Sequence, residues 1–307
     1  DESVRYYREA YALARRLRGE RDPETSTLEA RLGASIKRSG RYAEAESLLR
    51  DAVTRLKRDA GLRDPRTGTA LFHLADAIVE SGGDTTEAER TYREGVAIHH
   101  ASAGSAIGAI HGLDGLANIA ERRNRPHESE SLRREGLALR QRVYGAVNPH
   151  VAGALDGVGA ALAQQGRWNE ALAWRERGLA MWKRSVGADH SETATSLHGL
   201  ANILRDAGRQ AEAESVYTEV LALRNRLYRP NADVLGRTHS DLGLLHLRQG
   251  RLPAALAELQ LAKHILGETK EERHPDLREV HRRLALVSEA LGRADDAAFF
   301  KGKASIP

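Results

Sequence analysis

The sequence predicts an all-helical solenoid of antiparallel helix pairs, and three observations carry that prediction. A turn-forming residue recurs every 42 positions, at Gly40, Gly82, Asn124, Gly166, Gly208, Gly250 and Gly292. Eight positions before each turn stands a branched apolar residue: Leu32, Leu74, Leu116, Val158, Leu200, Leu242 and Leu284. Small residues hold fixed columns beside both, which is what two closely packed helices need. A fixed period of this length is the mark of a repeat architecture in which each unit buries its apolar face on its neighbours.

Each unit reads as helix A, a tight turn and helix B. In helix A the position after the branched residue is always small, as in Gly33, Ala75, Ala117 and Ala201. The turn needs a residue that tolerates the left-handed conformation, hence glycine or asparagine. Arg follows the turn in six repeats, while the second has Gly83 and one extra residue. Helix B carries small columns at Ala45, Ala88, Ser129, Ala171, Ala213, Ala255 and Ala297, and again about seven residues later. That spacing keeps both on one helix face. Pro23, Pro65, Pro149 and Pro275 open the next helix A, where a missing N–H costs nothing. Residues 3–18 read as a helix B without its own helix A. The whole chain, 1–307, thus reads as one solenoid of seven repeats after this segment, with no second domain.

Composition agrees. Aromatics are only 5% of the 307 residues, too few for one large core but suited to thin layers of Ala and Leu. Charged residues at 29% argue against wholesale disorder. No apolar run approaches the roughly 18 residues of a membrane span, and no signal peptide is visible. The absence of cysteine removes disulfides, thiolate zinc sites and Cys nucleophiles, and fits a cytoplasmic protein. Forty arginines against seven lysines point to a GC-rich, bacterial coding sequence. The chain opens on Asp1 and has one methionine, Met181, so it reads as a segment of a longer protein.

The Leu-Ala pair of helix A, the Gly-Arg turn and the Ala-Glu that follows resemble tetratricopeptide repeats. The 42-residue length resembles the kinesin light chain-type variety. Gly-Leu-Ala-Asn-Ile at 115–119 and 199–203, Ala-Glu-Ala-Glu-Ser at 43–47 and 211–215, and His274-Pro275 match its hallmarks. Ile107, Ser191 and Asp233 depart from it, standing where proline is expected. The resemblance implies a right-handed superhelix with a concave groove, used by sensor or scaffold regions of bacterial signalling proteins fused to kinases, ATPases or proteases.

Helix A can be divided by angle. With the branched column at zero, positions −3, +1 and +4 fall within about 100° on the side that packs on helix B. Positions −5, −2, −1, +2, +5 and +6 fall opposite, at about 140° to 260°, and the resemblance implies that they line the groove. They include Arg38, Asp76, Asp114, Asn118, Arg122, Asp156, His198, Asn202, Arg205 and Arg248. In the resembled family, Asn at +2 holds the backbone of an extended peptide, a task that suits an amide with both donor and acceptor. Arg122 and Arg205 offer two-pronged donors for carboxylates. The alternative reading of each charged residue is a solvated helix surface.

Chemistry is sought and not found. There is no phosphate loop, no His-Glu-x-x-His and no Gly-x-Ser-x-Gly. Gly157-Val158-Gly159 lacks the third glycine of a dinucleotide fingerprint, since Leu162 stands there. His239 and His246 share a helix face but lie about 10 Å apart, too far for one zinc. Arginines on helix B, such as Arg50, Arg55, Arg58, Arg133, Arg134, Arg140 and Arg142, are interleaved with acids, which points away from nucleic acid. The expected function is a non-catalytic scaffold, without cofactor or metal, that binds a protein or peptide in the groove. The alternative is self-association, or docking onto a flanking domain to control an attached enzyme.

Overall fold

The computed structural model describes residues 2–102 and 106–305; Asp1, where the chain opens, and Pro307, where it ends, lie outside them. Among the described residues there are fifteen α-helices and no strand. The chain divides into two compact units, Asp1–Ala146 and Val147–Pro307. The first contains α1 (Glu2–Arg18), α2 (Pro23–Arg38), α3 (Tyr42–Asp59), α4 (Pro65–Glu80), α5 (Thr85–Ala101), α6 (Ala106–Arg122) and α7 (Pro126–Tyr144). The second contains α8 (Pro149–Gln164), α9 (Trp168–Ser185), α10 (Ser191–Asp206), α11 (Gln210–Leu227), α12 (Asp233–Arg248), α13 (Leu252–Gly267), α14 (Pro275–Ala290) and α15 (Ala294–Ala304). From α2 onward, even-numbered helices are helix A of a repeat and odd-numbered helices are helix B.

The turn column behaves as its chemistry requires. All seven turn residues have positive φ, and Asn124, at 52°, is the single non-glycine with positive φ among the described residues. Behind each turn the next N–H reaches back to a helix A carbonyl, as in Arg125 to Ala120 at 2.8 Å and Arg209 to Leu204 at 2.9 Å. This is the paired closure that satisfies helix-end carbonyls. The four prolines predicted to open helix A stand in the first turn of α2, α4, α8 and α14. Asp22, Asp64, Asn148 and His274 cap these helices by accepting from the N–H two residues on. Ser191 and Asp233 open α10 and α12 where proline was expected, and His190 caps α10 in the same way.

Small columns are buried, so helices approach closely. Ala45, Ala75, Ala88, Ala117, Ala171, Ala201, Ala213 and Ala255 are all 0% exposed. A Cβ at Gly33 would lie 2.7 Å from Leu49 Cγ, and one at Gly243 would lie 2.7 Å from Leu259 Cγ. The −3 and +4 positions predicted to face helix B, such as Leu71, Ile78, Leu113, Leu155, Leu162 and Leu197, are buried. Within each unit every helix packs on the next in sequence, and helix A also touches the following helix A, as α2 does α4 and α12 does α14. Helix A therefore forms the inner layer of each unit.

Candidate functional site

In the first unit, α2, α4 and α6 present a continuous polar face over an aromatic floor. Phe72 stacks on His99 and on His111, with ring centroids 5.2 and 5.5 Å apart. Glycines on α4 and α6 make the room: a Cβ at Gly68 or Gly108 would collide with the His99 ring, and one at Gly112 would lie 2.4 Å from Phe72 Cε1. Above this floor are two adjoining recesses. One, of about 500 Å³, is floored by Phe72 and His99. The other, of about 290 Å³, is lined by Tyr7, Lys37, Arg38 and Asp76. Arg31, His73 and His111 line both.

Asp76 is the hub of this face. It accepts from Lys37 Nζ at 2.8 Å, lies 3.2 Å from His111 Nε2, and accepts from the Tyr92 hydroxyl of α5. Burial alone would raise its carboxyl, but the bonds and charges of His111, Lys37 and Tyr92 hold it well below the usual carboxylate range. Burial raises the Tyr92 hydroxyl, and the Asp76 charge adds to this. His73 is pushed down to about 4 by burial, against the opposing pull of Asp76. A histidine ordinarily titrates near 6.5, so the unfolded chain binds the extra proton first. Stability from this group is therefore present above about pH 6.5 and is lost as pH falls toward 4. An NMR titration should place the His73 imidazole midpoint near 4; a midpoint near 6.5 would contradict its burial.

The structure ties several groove candidates to helix B, although the angular reading put them on the face away from it. Asn118 Oδ1 accepts from Arg133 of α7 at 2.6 Å. Asp114 accepts from Arg140 of α7, with Arg133 at 3.7 Å. In the second unit Asp156 accepts from Trp182 Nε1 at 2.8 Å and from Ser196 at 3.0 Å, and burial raises its carboxyl against the pull of Arg175. Asn202 accepts from Tyr217 at 2.5 Å. The physical reason is reach. Tyr, Trp and Arg on helix B are long enough to cross the interface and meet polar groups at the shoulder of helix A. One sequence signal marks them: a Cβ at Gly115 would lie 2.3 Å from Tyr92 Cζ, and one at Gly199 would lie 2.6 Å from Arg175 Cζ. Glycine there leaves space for the long side chain of the preceding helix B.

A second hub, Asp241, joins three helix A elements of the second unit. It accepts from Arg205 of α10 at 3.3 Å and Arg283 of α14 at 2.9 Å, and its Oδ2 lies 3.0 Å from His198 Nε2. Arg205 also reaches Tyr217 and Asp206, and Arg248 bonds Asp206 at 2.7 Å. Burial works to raise Asp241, but His198, Arg283 and Arg205 hold it far below the usual range. His198 is itself pushed down by burial, with Asp241 opposing.

On the helix A layer of the first unit, Arg31, Arg38 and Arg122 are exposed. Arg31 and Arg122 have no carboxylate within ion-pair distance among the described residues, and Arg38 donates only to the neighbouring Ser35 hydroxyl at 3.0 Å. Helix B is mixed: Arg50 meets Glu46 and Glu87, Arg55 meets Glu29, Arg133 meets Glu121 and Arg134 meets Glu130, whereas exposed Arg90, Arg142 and Arg184 have no carboxylate at ion-pair distance among the described residues. His239 and His246 are not joined to each other; His239 lies 2.7 Å from Glu258 and His246 3.2 Å from Gln249.

Models of the tetratricopeptide repeat match residues 1–58, 25–99, 150–226 and 111–150. The chain belongs to the tetratricopeptide repeat family. A putative kinesin light chain with nearly identical TPR-like repeats from Podosopora anserina is 20% identical, with a TM-score of 0.60 over 67% of this chain and 97% of that one. The apo form of RapI is 10% identical, with a TM-score of 0.72 over 91% and 96% of the two chains. The apo quorum sensor NprR from B. thuringiensis is 13% identical, with a TM-score of 0.70 over 97% and 81%. At these identities the likeness is one of fold. No curated protein sequence matches the chain. Among the described residues no helix of this tetratricopeptide repeat protein is long and apolar enough to cross a membrane.

Proposed function

We propose that this tetratricopeptide repeat protein is a non-catalytic scaffold that binds an extended segment of a partner protein along the helix A face. One observation carries the reading. The first unit combines open recesses on the helix A face with Arg31, Arg38 and Arg122, which are exposed there and have no carboxylate at ion-pair distance among the described residues. Asn118 is exposed, and its Oδ1 is held by Arg133, which leaves the amide N–H groups turned to a ligand carbonyl. The arginines then take carboxylates of the partner. Asp76, Asp114, Asp156, His198, Asn202 and Arg205 act as the walls that hold each face in shape, and Arg248 contributes at the rim of the second unit. RapI and NprR share the fold, and NprR is described as a quorum sensor, so a regulatory role in a larger bacterial signalling protein in the cytoplasm fits the same architecture. The small net charge of +4 and the acids interleaved with the arginines of helix B argue for a protein rather than a nucleic acid as partner.

The test is affinity capture from a lysate of the source organism with wild type and with Arg38→Ala/Arg122→Ala. Each lost charge-assisted bond weakens binding by about tenfold or more. Partners are expected to be lost while the helical content stays unchanged. Equal capture by a folded variant would contradict the reading. A second reading rests on α1, whose Tyr6, Leu13 and Leu17 are 66%, 49% and 70% exposed along one side. That strip suits association with a second copy or a flanking domain, and concentration-dependent size in solution would favour it.

A further inference from the structure

Four of the seven lysines lie between positions 263 and 303, in a chain that otherwise relies on arginine. Lys263, Lys270 and Lys303 line one cavity of about 440 Å³ between α13, α14 and α15, together with His281 and Phe299. His281 is 6% exposed, and its Nδ1 is buried with no hydrogen-bond partner among the described residues. A buried polar atom in that condition calls for an explanation.

The repeat supplies the contrast. His239 holds the same column one repeat earlier, and its Nδ1 lies 2.7 Å from Glu258. Glu29, in that column of the first repeat, bonds Tyr11 and Arg55. In the last repeat the position equivalent to Glu258 is Phe300, which stacks on His281 at 6.0 Å and offers no acceptor. Lys263 is also without a carboxylate at ion-pair distance among the described residues; its ammonium lies 5.5 Å from the Phe300 ring centre. Lys270 and Lys303 are met by Asp233 at 2.5 Å and Glu272 at 2.6 Å, and His264 lies 3.3 Å from Glu268. The cavity is lined by Glu268 and Glu272 as well as by the lysines, but these carboxylates answer His264 and Lys303, which leaves Lys263 and the His281 ring as its two groups without an acidic partner.

We propose that this cavity binds a phosphate monoester, with Lys263 as the direct donor, His281 lining the wall beside it, and Lys270 and Lys303 as flanking charge. Phosphate offers three strong acceptor oxygens, and its second negative charge suits the ammonium groups better than a carboxylate does. The volume exceeds that of the anion, so the carrier of the phosphate lies beside Phe299. The site is built from α13, the connection that follows it, the start of α14, and α15, and it shares no lining residue with the recesses of the first unit.

The test uses the full chain and NMR of the His281 imidazole, assigned by loss of its signals in His281→Gln. Inorganic phosphate, O-phosphoserine and acetate are titrated in turn at constant ionic strength. Phosphate should give a saturable shift, phosphoserine a tighter one, and acetate little. Lys263→Met should weaken phosphate binding by about tenfold or more. Lys263 is half-buried beside the cavity, so this variant keeps the test decisive even where His281→Gln perturbs folding. Equal response to acetate, no preference for phosphoserine over inorganic phosphate, or unchanged affinity in folded Lys263→Met would overturn the proposal.

Discussion

Replacing Asp241 by alanine is expected to destabilise the second unit by about 3–5 kcal/mol, because it strands buried cations. Arg205 and Arg283 have side chains only 9% and 13% exposed, and both donate to Asp241. Their other partners are Asp206 and Tyr217 for Arg205, and Glu279 and Ser240 for Arg283, which leaves the centre of the network uncompensated. Asp241→Asn keeps the volume and one acceptor, so a smaller loss is expected. The pH dependence has a definite sign. The folded carboxyl sits below its unfolded value, so its contribution is present above about pH 4 and fades as pH falls through the folded value. Urea denaturation of the three proteins measures the difference; a loss below about 1 kcal/mol for Asp241→Ala would show that the network is slack.

Gly112→Val is expected to cost about 3 kcal/mol, at the upper end for overpacking. A Cβ there would lie 2.4 Å from Phe72 Cε1 and 2.5 Å from Val96 Cγ2. Neither can retreat easily, since Phe72 is 2% exposed and stacked between His99 and His111. A β-branched side chain adds helix strain to the clash. Gly302→Val, in α15 with nothing within 4 Å of its Cβ, serves as the control for helix propensity alone. Equal losses at the two positions would mean that the aromatic floor of the first unit is loosely packed.

These two sites also mark where sequence reading succeeds and where it stops. The turn at Asn124 was legible because only a residue that tolerates positive φ can close the helix there, and it has φ of 52°. The buried alanine columns were legible because close helix contact selects size, and size repeats. The polar wall was not. Asp76 bonds Lys37 from 39 residues away and Asp241 bonds Arg283 from 42 away, so each pair needs the stacking of successive repeats to exist. The angular argument treated helix A as a bare cylinder and therefore turned Asn118 and Asn202 away from helix B. Arg133 and Tyr217 reach over its shoulder, which no single-helix projection contains. Arg31, Arg38 and Arg122 look no different in sequence from arginines that the fold pairs with acids; only the three-dimensional neighbours separate them.

The most direct test of the helix A face as the binding surface is site-specific photo-crosslinking to a captured partner. A photoreactive residue is placed at position 122, on α6, and in a second protein at position 54, on the exposed side of α3. The account predicts a crosslinked adduct from position 122 and none from position 54, with the adduct suppressed by excess unlabelled protein. An adduct from position 54 with none from position 122 would contradict it and place the partner on the outer layer of helices.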